Sequence, residues 1–281
     1  MKLPSRRVLA PAVILFGIMV AHAILETARD ALFLAKLGPD KLAWAYLAIA
    51  GTTLIAVSAF RRFASKRDPR SMTLGFLVAS VIGTSVIALT ITFAHWMVFV
   101  LYVWTGVVAT LVVPSFWTMV DRSWRITEAK SAFATIGAGG ILGAMVGSVF
   151  AALLGQLLPA TFLVGCGAVA FGLVTVVATI LAPRPTELRA FRHSAATEKN
   201  PPQRYVRWLI LLGLVSTVAL TLGDMTFKST MGERVADDDL ASTFGSIYAG
   251  LNVIALVIQL VLTRRLLNRL GVGGAAVVLP L

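Results

Sequence analysis

The sequence predicts an all-α membrane protein: a bundle of six transmembrane helices followed by part of a second bundle. Of its 281 residues, 58% are hydrophobic and only 14% are charged. Eight apolar runs reach the length of about 20 residues that crosses a hydrocarbon core, and no run shows the ten-residue alternation of a transmembrane strand. A polar, proline-containing stretch separates six of the runs from the other two.

The eight predicted helices cover residues 8–37, 41–60, 72–94, 96–119, 132–156, 160–182, 206–231 and 240–263. They divide the chain into an N-terminal half (1–183), a linker (184–205) and a partial C-terminal half (206–281). A ninth apolar segment begins near Val272 and stops at Leu281, too short to cross a membrane. We therefore expect two or three helices of the second half and a truncated chain.

The distribution of basic residues predicts the orientation. The formal net charge is +12, and most of the 25 Lys and Arg residues fall at the N-terminus and in the loops 61–70, 122–130, 184–207 and 264–269. These positions lie on one side of the predicted bundle, which is the positive-inside pattern of membrane proteins. The N-terminus is thus expected in the cytoplasm, and the basicity indicates topology and lipid contact, with no nucleic-acid partner.

The first helix carries an ionisable stripe. His22, Glu26, Arg29 and Asp30 share one helical face, which Phe33 continues. Charged groups inside a membrane span are costly and typically face a partner or a solute pathway. Two interpretations stay open at this point: the stripe lines a central pathway, or its charges form self-neutralising pairs that only stabilise packing.

A similar stripe in the seventh helix supports an internal repeat. Thr217, Thr221, Asp224 and Lys228 are spaced by four, three and four residues. A shift of 194 residues aligns "RDALFLAKLG" (29–38) with "GDMTFKSTMG" (223–232) and places Asp30 on Asp224. After an insertion, Tyr46 aligns with Tyr248, so we expect both stripes and both tyrosines at one site between the halves.

The loop after the second helix is a candidate cytoplasmic gate. "RRFASKRDPRS" (61–71) resembles the basic loop between helices two and three of the major facilitator superfamily. That resemblance implies gate roles for Arg61 and Arg62 and makes Asp68, the single acid of the loop, the candidate latch residue. The alternative is that the loop is basic only because it lies in the cytoplasm.

Other motifs point away from catalysis. Gly139, Gly143 and Gly147 recur every four residues, which favours close helix packing over a nucleotide fingerprint. No catalytic motif and no P-loop occurs, and the single cysteine, Cys166, excludes a thiolate metal site. We expect no enzyme activity, no cofactor and no metal.

One patch of sequence carries a more specific resemblance. "FWTMVDRSWRITEAKSAFATIGAGGILGAMVGS" (116–148) resembles the ATP/ADP translocases of plastids and intracellular bacteria and their bacterial relatives. The residues that carry the likeness are Phe116, Trp117, Asp121, Glu128, Ala129, Lys130, Phe133, Gly137 and Gly139. The stretches 29–38 and 224–231 are similar to the family's first and seventh helices.

The resemblance implies a major-facilitator-like nucleotide antiporter in a bacterial inner membrane. Arg29 and Lys228 would take the family's basic positions, where they suit phosphate groups. Asp121 would join the cytoplasmic gate. Two alternatives remain: a proton-coupled carrier in which Glu26, Asp30 or Asp224 titrates, and a non-transporting anchor or sensor domain. The sequence does not predict the oligomeric state.

Overall fold

A computed structural model describes residues 6–64, 68–121, 126–182 and 203–259, and within them only helices and short connections occur. The helices are α1 (Arg6–Leu37), α2 (Leu42–Ala64), α3 (Pro69–Thr90), α4 (Trp96–Asp121), α5 (Ile126–Gly155), α6 (Ala160–Leu181), α7 (Gln203–Arg234) and α8 (Leu240–Val257). All eight are long and apolar enough to cross a membrane. The predicted all-α membrane class is confirmed.

The predicted helix bounds hold to within six residues. The largest difference is at α5, which begins at Ile126 where residue 132 was predicted, and the predicted end of the eighth helix at residue 263 lies outside the described residues. α3 begins at Pro69, three residues before the predicted start, because Asp68 caps it and proline suits the first helical turn. It ends at Thr90 where residue 94 was predicted. α7 begins at Gln203, inside the predicted linker. Residues 183–202 and the predicted ninth segment lie outside the described residues.

The bundle has two ends, which we call the hairpin side and the basic side. The hairpin side carries the connections 38–41, 91–95, 156–159 and 235–239, and the basic side is the opposite one, where α1 begins. α1 lies at the centre of the bundle. It packs against α4, α5, α6 and α8 along its length.

Glycines let α5 approach α1 closely. A methyl group added at Gly143 would overlap the carbonyl oxygen of Phe16, and one at Gly147 would crowd that of Val20. Gly139 faces the carbonyl of Ala12 in the same way. The predicted packing ridge is therefore present, and it fixes α1 against α5 by backbone contact.

α7 meets the rest of the described chain only near the hairpin side. Its backbone lies closest to α1, α2 and the turn Pro39–Lys41, and Gly232 lies against Leu34 of α1. Side chains of α7 also reach α4, through Lys228, and α8, through Phe227. None of the apolar stretch of α7 is buried, and Leu220 is 74% exposed. α1 and α7 thus converge toward the hairpin side, which positions their charged residues against each other.

Candidate functional site

Asp30 lies at the centre of a buried charge cluster. It is 0% exposed, and both carboxylate oxygens accept two contacts each. Oδ1 accepts a hydrogen bond from Arg29 Nε at 2.9 Å and forms an ion pair with Lys228 Nζ at 3.1 Å. Oδ2 accepts hydrogen bonds from Arg29 Nη2 at 3.1 Å and from the Tyr248 hydroxyl at 2.6 Å. These four contacts fill the acceptor positions of a carboxylate.

Lys228 joins the two helices. The residue is 2% exposed, and its ammonium group donates to Asp224 Oδ2 at 2.8 Å and to the Tyr102 hydroxyl at 3.2 Å. It also forms an ion pair with Asp30 Oδ1 at 3.1 Å. Two carboxylates and one hydroxyl thus surround the ammonium group. The cation is therefore paired in a region where an unpaired charge would be very costly.

Three side chains close a hydrogen-bonded ring with Lys228. The Tyr102 hydroxyl donates to that of Tyr46 at 3.4 Å, and Tyr46 donates to Asp224 at 2.6 Å. Asp224 in turn accepts from Lys228. The ring of Tyr102 also lies 4.5 Å from the guanidinium carbon of Arg29, a cation–π contact. Tyr102 therefore holds both cations, one by its hydroxyl and one by its face.

The two aspartates have crossed partners. Tyr46 lies in α2, the helix that follows α1, and donates a hydrogen bond to Asp224 of α7. Tyr248 lies in α8, the helix that follows α7, and donates a hydrogen bond to Asp30 of α1. Both hydrogen bonds measure 2.6 Å. The repeat alignment pairs the same residues, Asp30 with Asp224 at a shift of 194 residues and Tyr46 with Tyr248 after the insertion. The contacts therefore agree with the predicted repeat, which itself stays a prediction.

The accessible members of the cluster are acidic. The side chains of Arg29 and Lys228 are 9% and 3% exposed, whereas those of Glu26 and Asp224 are 38% and 41% exposed. Glu26 Oε1 contacts Arg29 Nη2 at 3.3 Å. With all five groups ionised the cluster carries one net negative charge, because three carboxylates face two cations.

The structure thus brings together all seven residues predicted for the central site, which are Glu26, Arg29, Asp30, Tyr46, Asp224, Lys228 and Tyr248. It adds Tyr102 of α4, which the sequence did not single out. Tyr102 stands in an apolar run with no charged neighbour, and an alignment of stripes on α1 and α7 gives no reason to choose it. Only the three-dimensional packing of α4 against α1 identifies it.

The candidate gate residues lie apart from this cluster. Asp68 accepts a hydrogen bond from the backbone N–H of Ser71, in the first turn of α3, at 3.3 Å. Its observed role is therefore that of a helix cap. Arg62, near the end of α2, and Asp121, the last residue of α4, are both exposed. The side chain of Arg61 lies outside the described part. A gate role for these four residues stays a prediction.

Arg70 provides a contact between elements on the basic side. Its Nη2 donates to the carbonyl oxygen of Thr179 in the last turn of α6, at 2.8 Å. Cations near the C-terminal end of a helix satisfy its free carbonyl groups and its dipole. Arg70 therefore ties α3 to α6 within the first six helices.

A cavity of about 400 Å³ lies on the hairpin side, apart from the charge cluster. Its lining includes Lys36, Thr92, Thr161, Asp237 and Asp238. Among the described residues, no three His, Cys, Asp or Glu side chains are placed to hold a metal ion. The cluster therefore remains the candidate site with the strongest charge and burial.

No protein family, no curated protein and no solved structure matches this chain. The likeness to nucleotide translocases therefore remains a prediction carried by short patches of sequence. The geometry of the cluster is the stronger basis for a functional proposal.

Proposed function

We propose that this protein is a secondary carrier that works by alternating access, with the charge cluster as its solute and coupling site. The observation that supports this is the buried ion pair between Asp30 of α1 and Lys228 of α7, at 3.1 Å. A buried ion pair is a poor device for stability, because apolar residues of similar volume hold two helices together as well or better. Intramembrane charges are typical of pathways.

The charge of the cluster favours a proton or another small cation as the coupling species. A species that approaches from water meets Glu26 and Asp224 first, because the two cations lie beneath them. Protonation of Glu26 would remove one partner of Arg29, and protonation of Asp224 would remove one partner of Lys228. Each event weakens a bond that holds the cluster together.

Nucleotide exchange is the second candidate, and a different observation favours it. Arg29 Nε and Lys228 Nζ converge on a single oxygen, Asp30 Oδ1. A phosphate oxygen has the charge and geometry to replace that carboxylate oxygen between the two cations. The sequence resemblance to ATP/ADP translocases points to the same solute class. Binding would then require Asp30 to leave.

Transport by the full chain in proteoliposomes tests both candidates. Uptake of radiolabelled ATP, ADP and phosphate is measured with and without an imposed pH gradient. In parallel, an enclosed pH dye records proton movement when a mixture of amino acids, sugars and carboxylic acids is added. Glu26→Gln and Lys228→Ala are compared with matched controls on the exposed end of α7, Glu233→Gln and Arg234→Ala.

The outcomes separate the candidates. Solute-dependent proton movement that is lost in Glu26→Gln and kept in Glu233→Gln supports the proton-coupled carrier. Nucleotide exchange without a pH gradient, lost in Lys228→Ala and kept in Arg234→Ala, supports the second candidate. Equal activity in the cluster variants and their controls would contradict the assignment of the site, whatever the solute.

A further inference from the structure

We propose that the cavity on the hairpin side is a binding site for a small molecule with one carboxylate and two amino groups, as a basic amino acid has. The cavity has a volume of about 400 Å³, within the range of pockets that hold small ligands. Its charged lining consists of Lys36 of α1 and of Asp237 and Asp238 in the connection before α8. This inference goes beyond the carrier function and does not depend on it.

The cavity lies between α1 and three of the hairpin-side connections. Its floor includes Ala31 and Leu32 of α1, which are 1% and 4% exposed. Its rim includes Thr92, Pro159 and Asp237, one from each connection, and all three are exposed. A solute in the water on the hairpin side therefore reaches the cavity without crossing the bundle.

The cavity and the charge cluster use different faces of α1. Ala31 and Ala35 line the cavity, and residues four apart share a helical face. With 3.6 residues in each turn, Ala35 lies about 180° around the helix from Glu26 and about 140° from Asp30. A ligand in the cavity therefore occupies a site of its own.

The charged groups of the cavity are not neutralised by the protein. All four ion pairs in the part of the chain that the structure describes belong to the charge cluster. Lys36 therefore pairs neither with Asp237 nor with Asp238, although all three line one cavity. Three unpaired charges of both signs in one accessible cavity favour a ligand that carries charges of both signs.

The start of α6 provides donors for the carboxylate of the ligand. α6 begins at Ala160, and the residue before it, Pro159, makes no side-chain cap. The first N–H groups of a helix have no partner inside it, and this end of the helix carries a partial positive charge. Ala160 and Thr161 line the cavity together with Lys36. A carboxylate at this place meets the helix end and the ammonium group of Lys36.

Asp237 and Asp238 provide partners for the two amino groups. They are consecutive residues of a short 3₁₀ helix, Asp237–Asp239. Consecutive side chains of a 3₁₀ helix point about 120° apart, so the two carboxylates suit two separate ammonium groups. One lysine and two aspartates give the lining one net negative charge. A ligand with one carboxylate and two ammonium groups has the opposite net charge.

The uncharged part of the lining suits the rest of such a molecule. Ala31, Leu32 and Ala35 offer apolar surface to a hydrocarbon chain, and Thr92 and Thr161 offer hydroxyl groups. Small-molecule sites combine a mostly apolar lining with a few polar groups that orient the ligand. The cavity has both parts, with its cationic and anionic groups on separate elements.

Calorimetric titration of the full chain in detergent with L-lysine tests the site. Three related compounds each lack one charged group of L-lysine: cadaverine lacks the carboxylate, ε-aminocaproate lacks the α-amino group, and norleucine lacks the side-chain amino group. We expect each of them to bind at least about tenfold more weakly than L-lysine, because each loses one charge-assisted hydrogen-bonding group.

Single-charge variants of the cavity test the same contacts from the protein side. Lys36→Gln and Asp238→Asn remove lining charges, and Lys41→Gln and Asp239→Asn are the matched controls, exposed on the same side and outside the lining. We expect L-lysine to bind at least about tenfold more weakly to the cavity variants and with unchanged affinity to the controls. Lys36→Gln should also distinguish L-lysine from cadaverine less strongly than the parent does, because it has lost a partner of the carboxylate.

Two results with the parent protein would overturn the proposal: no binding of L-lysine, or equal affinity for L-lysine and cadaverine. Equal losses in the cavity variants and their controls would overturn it as well. Binding that is lost in Asp224→Asn and kept in Lys36→Gln would place the ligand in the charge cluster and also overturn it.

These measurements do not depend on transport. L-lysine bound at the cavity of a protein that moves no solute in proteoliposomes would contradict the carrier function and leave the cavity site in place. Transport that depends on the charge cluster in a protein that does not bind L-lysine would contradict the cavity site and leave the carrier function in place.

Discussion

At the scale of single residues, the two aspartates of the cluster differ in burial although the repeat alignment pairs them. Asp30 is fully buried between two cations, whereas the Asp224 side chain is 41% exposed. We predict that Asp30→Asn lowers the free energy of unfolding by about 3–5 kcal/mol, because it removes the buried carboxylate that Arg29 and Lys228 share and leaves each cation with one partly exposed acidic partner. Asp224→Asn should cost clearly less. Thermal unfolding of both variants in the same detergent measures the difference, and equal losses would contradict this view of the cluster.

The crossed tyrosines give a second test at this scale. Tyr248→Phe removes a donor from a carboxylate that water cannot reach, and we predict a loss of about 1–3 kcal/mol. Tyr46→Phe removes an equally short bond, but water can replace it at half-exposed Asp224. Its cost should therefore be smaller. A larger loss for Tyr46→Phe, measured by the same thermal unfolding, would show that exposure does not decide these energies.

The sequence predicted most of the cluster because charge inside an apolar helix is conspicuous. Glu26, Arg29, Asp30, Asp224 and Lys228 stand out on their helices, and the repeat alignment added Tyr46 and Tyr248. The pairing within the cluster was not predictable, since it depends on how α1 and α7 are rotated toward each other. Tyr102 was missed for the same reason, because a tyrosine in an apolar run has many possible partners.

At the scale of elements, the contact between α1 and α5 depends on glycine. We predict that Gly143→Ala lowers the free energy of unfolding by about 1–3 kcal/mol, because the added methyl group overlaps the backbone of α1 at Phe16. Gly172→Ala in α6 is the control, since no atom of the described chain lies within 4 Å of its added methyl group.

Alanine at position 172 should be neutral or stabilise by about 0.5–1 kcal/mol, because alanine favours helix more than glycine does. The two alanine substitutions thus have opposite expected signs in one thermal unfolding experiment. A Gly143→Ala protein as stable as the parent would mean that α1 and α5 separate easily, which contradicts the close approach.

Helix positions were predictable from length and hydropathy, whereas helix ends were less so. The eight apolar runs correspond to the eight helices because a membrane span requires about 20 apolar residues. The start of α3 was placed three residues late because the cap at Asp68 and the following proline lie in a charged loop. Capping is a local hydrogen-bonding property that hydropathy does not record.

At the scale of the whole molecule, the central position of α1 has a functional consequence. The helix that bears the charge cluster is also the one most enclosed by its neighbours, so any change at the cluster acts on the core of the bundle. Sequence did not reveal this arrangement, because which helices become neighbours depends on packing surfaces such as the glycine ridge of α5. The predicted major-facilitator-like arrangement and the cytoplasmic N-terminus remain predictions.

The central claim is that the contact between α1 and α7 breaks and re-forms as the cluster changes its protonation. The most direct measurement is the distance between spin labels at Lys36 and Arg234, the exposed ends of α1 and α7, in full-length protein with Cys166→Ser. We predict two distance populations, with the longer one enriched when the pH is lowered and in Asp30→Asn. A single narrow distance, unchanged by pH and by Asp30→Asn, would contradict alternating access at this site.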